Sequence, residues 1–275
     1  MTAAPMILPF VQVDAFAHAP FTGNPAAVMP LDHWLADDVL QAIAQENNLA
    51  ETAFTVPLPP GAGADYDLRW FTPTVEVALC GHATLASGHA LMGAARQSLR
   101  FRTQQAGDLV VERVAGGEGD TYRLDLPGMA MTPADLSEIA ALLGSPAPQE
   151  THARDGGYRL LVYADDAQVR ALRPDFAALG KLGNLLIIAT APGAETDIVS
   201  RAFVPGAGID EDPVTGSAHC LLTPYWSDRL GRDRFTAYQA SARGGYVDCE
   251  RTGDRVILTG RCRTVIEGQF LLSGW

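Results

Sequence analysis

Apolar and polar positions alternate over residues 10–16 in the manner of a strand, and the punctuated run from Pro20 to Pro25 ends it before residues 26–29 resume as a second. Leu35, Val39 and Ile43 then recur every four residues, which predicts one apolar helix face closed by Asn47 and Asn48. Residues 50–56 are rich in β-formers and stop at Pro57, so Glu51 falls at a helix-to-strand junction, and a further strand is predicted over 66–71. Residues 83–94 carry so few polar side chains that a helix there is apolar nearly all round and belongs inside a fold, with Cys80, Gly81 and His82 at its N-terminal lip. A charged strand pair over 98–113 and a strand over 121–126 follow. Short helices are predicted at 135–143 and 174–179, and strands at 160–163, 185–189, 235–239 and 255–259.

The pattern repeats itself once. R-x-F-x-P begins at Arg69 and again at Arg201, each followed by a loop and an x-G-x-A helix opening, at Gly81 and Gly216. The arginines are 132 positions apart and the glycines 135, so duplication of a strand, loop and helix unit is the economical explanation. With 275 residues the chain is long enough for two domains, and the run of glycines from Gly116 to Gly119 marks a boundary between residues 1–118 and 119–275.

Composition narrows the partners. Hydrophobic residues at 47% against 19% charged are those of a chain that folds throughout. A formal charge of −12 with no basic patch argues against nucleic acid, and means that an anionic substrate must be captured by local donors such as helix N-termini. Cys80, Cys220, Cys249 and Cys262 form no C-x-x-C pair, which reads as reduced thiols rather than a zinc ribbon or redox motif. No signal-peptide pattern opens the sequence and no stretch reaches the ~18 apolar residues of a membrane span, so a cytoplasmic location is expected.

Gly81 and Gly216 each stand where a loop becomes a helix, and two such ends would grip one anion through backbone N–H groups. Either alone reads as an ordinary turn glycine; the pairing points to function. His82 follows the first of them and is a candidate for proton transfer, whereas His89 and His219 read as structural. Glu51 is the only acid between Leu49 and Leu58, and a carboxylate in apolar surroundings can hold or release a proton near neutrality. By spacing alone it reads first as an exposed glutamate at a strand entrance. Asp210, Glu211 and Asp212 precede the second opening, where capping is their plain role, as it is for Ser217.

Taken as a set, Val13 to Phe16, Gly23-Asn24-Pro25, NLAETAF over 48–54, Phe71-Thr72-Pro73, Cys80-Gly81-His82-Ala83 and DPVTGSA over 212–218 resemble, in order, the signature segments of the PhzF, or phenazine-biosynthesis-like, family. The resemblance implies an α/β (α+β) fold of the diaminopimelate epimerase type. That fold has two similar domains, each a curved β-sheet wrapped around a central helix, with the active site in the cleft between them. It places the family's catalytic glutamate on Glu51, its histidine on His82, and its aspartate and serine on Asp212 and Ser217. In the phenazine enzyme the glutamate shuttles a proton between carbons of an amino-cyclohexadiene carboxylate. The related epimerases carry a cysteine at each helix opening; Cys80 resembles the first, and Pro213 is expected where the second would be, which disfavours a two-thiol racemase.

The expected activity is therefore isomerisation or epimerisation of a small anionic carboxylate. Glu51, His82 and Asp212 are the catalytic set and Gly81, Gly216 and Ser217 bind substrate. No metal or organic cofactor is required, and the resemblance favours a homodimer. The competing readings are a hydrolase using Cys80 and His82 as nucleophile and base, or with His219 and Cys220 as metal ligands, and a binding protein that kept its site without chemistry.

Overall fold

A computed structural model of the chain describes residues 5–116, 120–144 and 146–273. The boundary expected at residues 118 and 119 falls outside these. Two units form: the first takes in the chain up to Pro20, Pro25–Asp125 and the residues from Gly260 onward, and the second Phe21–Asn24 and Leu126–Thr259.

In the first unit the elements are β1 (Met6–Ala15), β2 (Asn24–Pro30), α1 (Asp37–Asn47), β3 (Glu51–Pro57), β4 (Tyr66–Phe71), β5 (Glu76–Val77), α2 (Gly81–Leu91), β6 (Ser98–Thr103), β7 (Asp108–Arg113) and β8 (Thr121–Pro127). β2 and β3 pair in parallel, β3 and β4 antiparallel, β4 and β6 in parallel around α2, and β6 and β7 antiparallel. Helix α2 packs against β1, β3 and β7 and buries every residue from Gly81 to Gly88, as its nearly all-round apolar surface demands. Gly88 is required there: a Cβ on it would lie 2.4 Å from a Val111 methyl carbon. α1 covers the other face, with Leu40 and Ile43 against Met29, Phe54 and Phe71.

The second unit continues with β9 (Thr132–Pro133), α3 (Ser137–Leu142), β10 (Glu150–Arg154), β11 (Tyr158–Val162), α4 (Asp166–Ala171), α5 (Phe176–Gly180), β12 (Leu186–Pro192), β13 (Ile198–Val204), β14 (Ile209–Asp212), α6 (Gly216–Leu230), β15 (Arg234–Gln239), β16 (Gly245–Thr252) and the opening of β17 (Arg255–Leu272), whose residues from Gly260 belong to the first. Its pairing order copies the first: β11 with β12 parallel, β12 with β13 antiparallel, β13 with β15 parallel around α6, β15 with β16 antiparallel. Short strands β5 and β14 hold the same place after β4 and β13. The sequence echo is thus one trace of a duplication that extends through each half.

Strand β17 is far longer than the five residues the sequence pattern marks. Its opening residues pair with β16, and from Cys262 it runs antiparallel to β1, with Ala15 opposite Cys262 and Leu8 opposite Phe270. Among the described residues no helix is long and apolar enough to cross a membrane.

Candidate active site

Asn48 closes α1 in the left-handed conformation, φ 48°, and the turn it makes leaves Glu51 as the first residue of β3. Alternation along the strand puts Phe54 toward α1 and Glu51 on the opposite face, toward α2. There Glu51 Oε2 lies 3.0 Å from Nε2 of His82, and the other ring nitrogen, Nδ1, is 3.5 Å from Sγ of Cys80. Cys80 and His82 are buried and the Glu51 side chain is 14% exposed, the most open of the three.

Burial opposes a charge on His82, yet the Cys80 sulfur as a hydrogen-bond partner and the Glu51 side chain as a countercharge outweigh it and hold the imidazole pKa well above the ordinary histidine value. The Cys80 thiol is pushed up to about 11, chiefly by burial and then by the Glu51 charge, so at neutral pH it keeps its proton. Carboxylate, imidazole and thiol atoms lie within 4.8 Å of one another, a donor set that zinc accepts. One ion, however, bonds one imidazole nitrogen, and Glu51 and Cys80 stand at different nitrogens. The placement fits an ion pair of carboxylate and ring better than a metal ion held by all three.

In the second unit Asp212 ends β14 and is buried. Its Oδ1 accepts from Nδ2 of Asn24 at 2.7 Å and its Oδ2 from the Thr215 hydroxyl at 2.5 Å. Gln239 braces the same turn, donating to the Asp212 carbonyl at 2.7 Å and accepting from the Thr215 amide at 2.8 Å. Asp212 is therefore an ordered acceptor on both oxygens, and Gly216 and the half-buried Ser217 follow as the first residues of α6.

Offset by 135 residues, Thr215 and not Pro213 is the counterpart of Cys80: each is the N-cap of its helix, and the expectation for Pro213 is corrected accordingly. The conclusion drawn from it is unaffected, because a hydroxyl and not a second thiol opens α6. Each N-cap carbonyl also receives a side chain from four residues on, Thr84 Oγ1 to Cys80 at 2.5 Å and His219 Nδ1 to Thr215 at 2.8 Å. Neither α2 nor α6 has a side-chain cap or an acid in its first turn, whereas α4 and α5 are capped by Asp165 and Asp175.

Burial lowers the His219 pKa to about 4, so its Nδ1 proton is held while the ring stays neutral. An unfolded chain protonates this imidazole below about pH 6.5. Between those values the unfolded state binds one proton more, and stability is lost as pH falls from 6.5 toward 4, by up to about 3 kcal/mol for this group. Urea midpoints measured across that range should fall less steeply for His219→Gln than for the wild type.

The profile of the family described as phenazine biosynthesis-like protein matches residues 13–268. The chain belongs to that family. Among phenazine biosynthesis-like proteins and their relatives, an uncharacterised isomerase of Pseudomonas aeruginosa is 47% identical over 266 residues, covering 96% of this chain and 98% of its own. The crystal structure of a PhzF family protein from Enterococcus faecalis is 42% identical, with a TM-score of 0.86 over 97% of this chain and all of that one. A hydroxyproline epimerase of Agrobacterium vitis, at 13% identity and a TM-score of 0.62 over 98% of this chain and 93% of its own, shares the fold.

Sequence reasoning brought forward Glu51, Gly81 and His82 in one unit and Asp212, Gly216 and Ser217 in the other. It passed over Asn24, Glu76, Thr215 and Gln239 and read Glu211 only as a cap. Asn24 had a signal, since it is the centre of the Gly23-Asn24-Pro25 segment. Gln239 had none, because a lone glutamine at a strand end announces nothing.

Proposed function

We propose that this chain is an isomerase or epimerase that moves a proton within a small carboxylate-bearing metabolite. Glu51 takes the proton from a carbon next to a carboxylate-stabilised centre and returns it. His82, paired with it, lends a second proton, while Asp212 orders the α6 opening. Gly81 in the first unit, and Gly216 and Ser217 in the second, are the substrate-binding residues of this reading, each opening offering N–H or hydroxyl donors of the kind that suit a carboxylate and developing negative charge. Chemistry of this kind needs no metal or organic cofactor. The observation that carries the reading is the 3.0 Å pair of Glu51 and His82 at a helix opening without a cap of its own. Incubating the protein with a panel of small carboxylates in deuterated water tests it: a substrate gains deuterium on carbon, insensitive to chelators. A panel spanning amino, hydroxy and unsaturated acids that gains none would reject it.

One observation favours thiol chemistry instead, since Cys80, His82 and Glu51 line up as nucleophile, base and orienting acid would. Against it stands the thiol's high pKa, which leaves little thiolate at neutral pH. Cys80→Ala is expected to keep most of its deuterium-exchange activity; near-total loss in a correctly folded protein would install the thiol as the reacting group.

All four cysteines are free and buried, which supports a reducing, cytoplasmic setting. Exposed apolar side chains at Ile7, Val265, Ile266 and Leu271 on β1 and β17 support a homodimer. Sedimentation is expected to give twice the mass of the chain, and Ile266→Glu to reduce it to one.

A further inference from the structure

The R-x-F-x-P echo turns out to encode a clamp. In the first unit Arg69, on β4, gives Nε and Nη2 to the two carboxylate oxygens of Glu76, both at 2.8 Å, and Nη1 to Asp37 of α1 at 2.8 Å. In the second, Arg201 on β13 gives Nε and Nη2 to Glu211 at 2.7 and 2.8 Å, and Nη1 to the carbonyl of Leu172, the C-cap of α4, at 3.0 Å. Each guanidinium also stacks on the phenylalanine two residues on, 5.1 Å from the Phe71 ring centre and 4.9 Å from that of Phe203. Among the ion-paired arginines described, these two side chains are the least exposed, at 9% and 11%.

Both glutamates stand in the same place relative to chemistry and not to the arginines. Glu76 and Glu211 each precede the first residue of α2 or α6 by five positions, although they follow their arginines by seven and by ten. A pair kept for stability alone has no reason to hold that register, and a half-buried ion pair is often no more stabilising than apolar packing in the same space. What a bidentate, stacked guanidinium does supply is fixed geometry. Through β5 and β14 it ties the residue that leads into each uncapped opening to the rigid strand beside it.

We propose that Glu76 and Glu211, held by Arg69 and Arg201, are positioning residues that fix the openings of α2 and α6. They thereby set where Cys80, Gly81 and His82 stand in one unit and Thr215, Gly216 and Ser217 in the other. The catalytic meaning of this rests on the proton-transfer reading; the positioning itself does not. The first amides bonded within the two helices, Thr84 to the Cys80 carbonyl at 3.2 Å and His219 to that of Thr215 at 3.3 Å, report each opening separately.

The test is hydrogen exchange of those two amides by NMR, on the full chain without ligand, in Glu76→Gln, Glu211→Gln and the control Glu112→Gln, whose partner Arg123 is on the surface. Glu76→Gln is expected to speed exchange at Thr84 by about tenfold or more and leave His219 unchanged; Glu211→Gln does the converse, and the control moves neither. Should either variant fail to fold, Arg69→Lys or Arg201→Lys keeps the charge while losing the fork and is read in its place. Exchange unchanged at the adjacent opening, or raised equally at both, overturns the inference. Because no substrate is present, absence of deuterium transfer to any carboxylate defeats the proton-transfer reading without touching this result.

Discussion

Replacing Glu51 by glutamine is expected to lower turnover by about 10²-fold or more while leaving carboxylate binding largely intact. Glutamine keeps the shape and the contact with His82 but cannot take a proton from carbon and return it. In the proposed mechanism the carboxylate is held by helix-opening donors and not by Glu51, so the loss should fall on kcat and spare KM. Deuterium wash-in from solvent, measured on the same sample, should vanish in parallel. A variant that exchanges at the wild-type rate would move the proton-carrying role to His82, whose elevated pKa makes it the nearest alternative.

Arg201→Leu is expected to destabilise the fold by about 2–4 kcal/mol, since it strands the two Glu211 oxygens and the Leu172 carbonyl that share the guanidinium. At about 2–4 °C per kcal/mol for a protein of this size, the melting temperature drops by roughly 5–15 °C. Arg234→Leu supplies the contrast: its arginine is 80% exposed in its pair with Glu250, and pairs of that kind are worth about 0–1 kcal/mol. Equal shifts for the two variants by calorimetry would show that the fork is no more than a surface ion pair.

How far the sequence could be read depended on the distance over which each residue finds its partner. Helix α2 was legible because its own composition leaves it no exposed face, and the turn into Glu51 because Asn48 is a residue that tolerates left-handed backbone. The duplication surfaced through two short motifs, while most of the pairing order that confirms it is written in strands whose sequences no longer match. Glu76 and Glu211 stayed hidden because their spacing from the arginines differs, seven against ten; counted back from the glycines they would have aligned. Asn24 and Asp212 are 188 residues apart, and no local pattern foretells a hydrogen bond across that separation. Strand β17 was cut short at residue 259 because its continuation is mostly exposed, without the alternation that marks a half-buried strand.

That strand also dictates an order of events during synthesis. β1 leaves the ribosome well before the strand that pairs with it from Ala15 to Met6, because that partner, residues 262–272, is made only after the whole of the second unit. The unit begun first is thus the one finished last, and until then its opening strand carries apolar residues such as Ile7 and Leu8 beside unpaired backbone groups. A nascent chain of this protein passes through a stage in which the second unit has all its strands while the first waits with an open edge, and it is at that stage that a chaperone has most to protect.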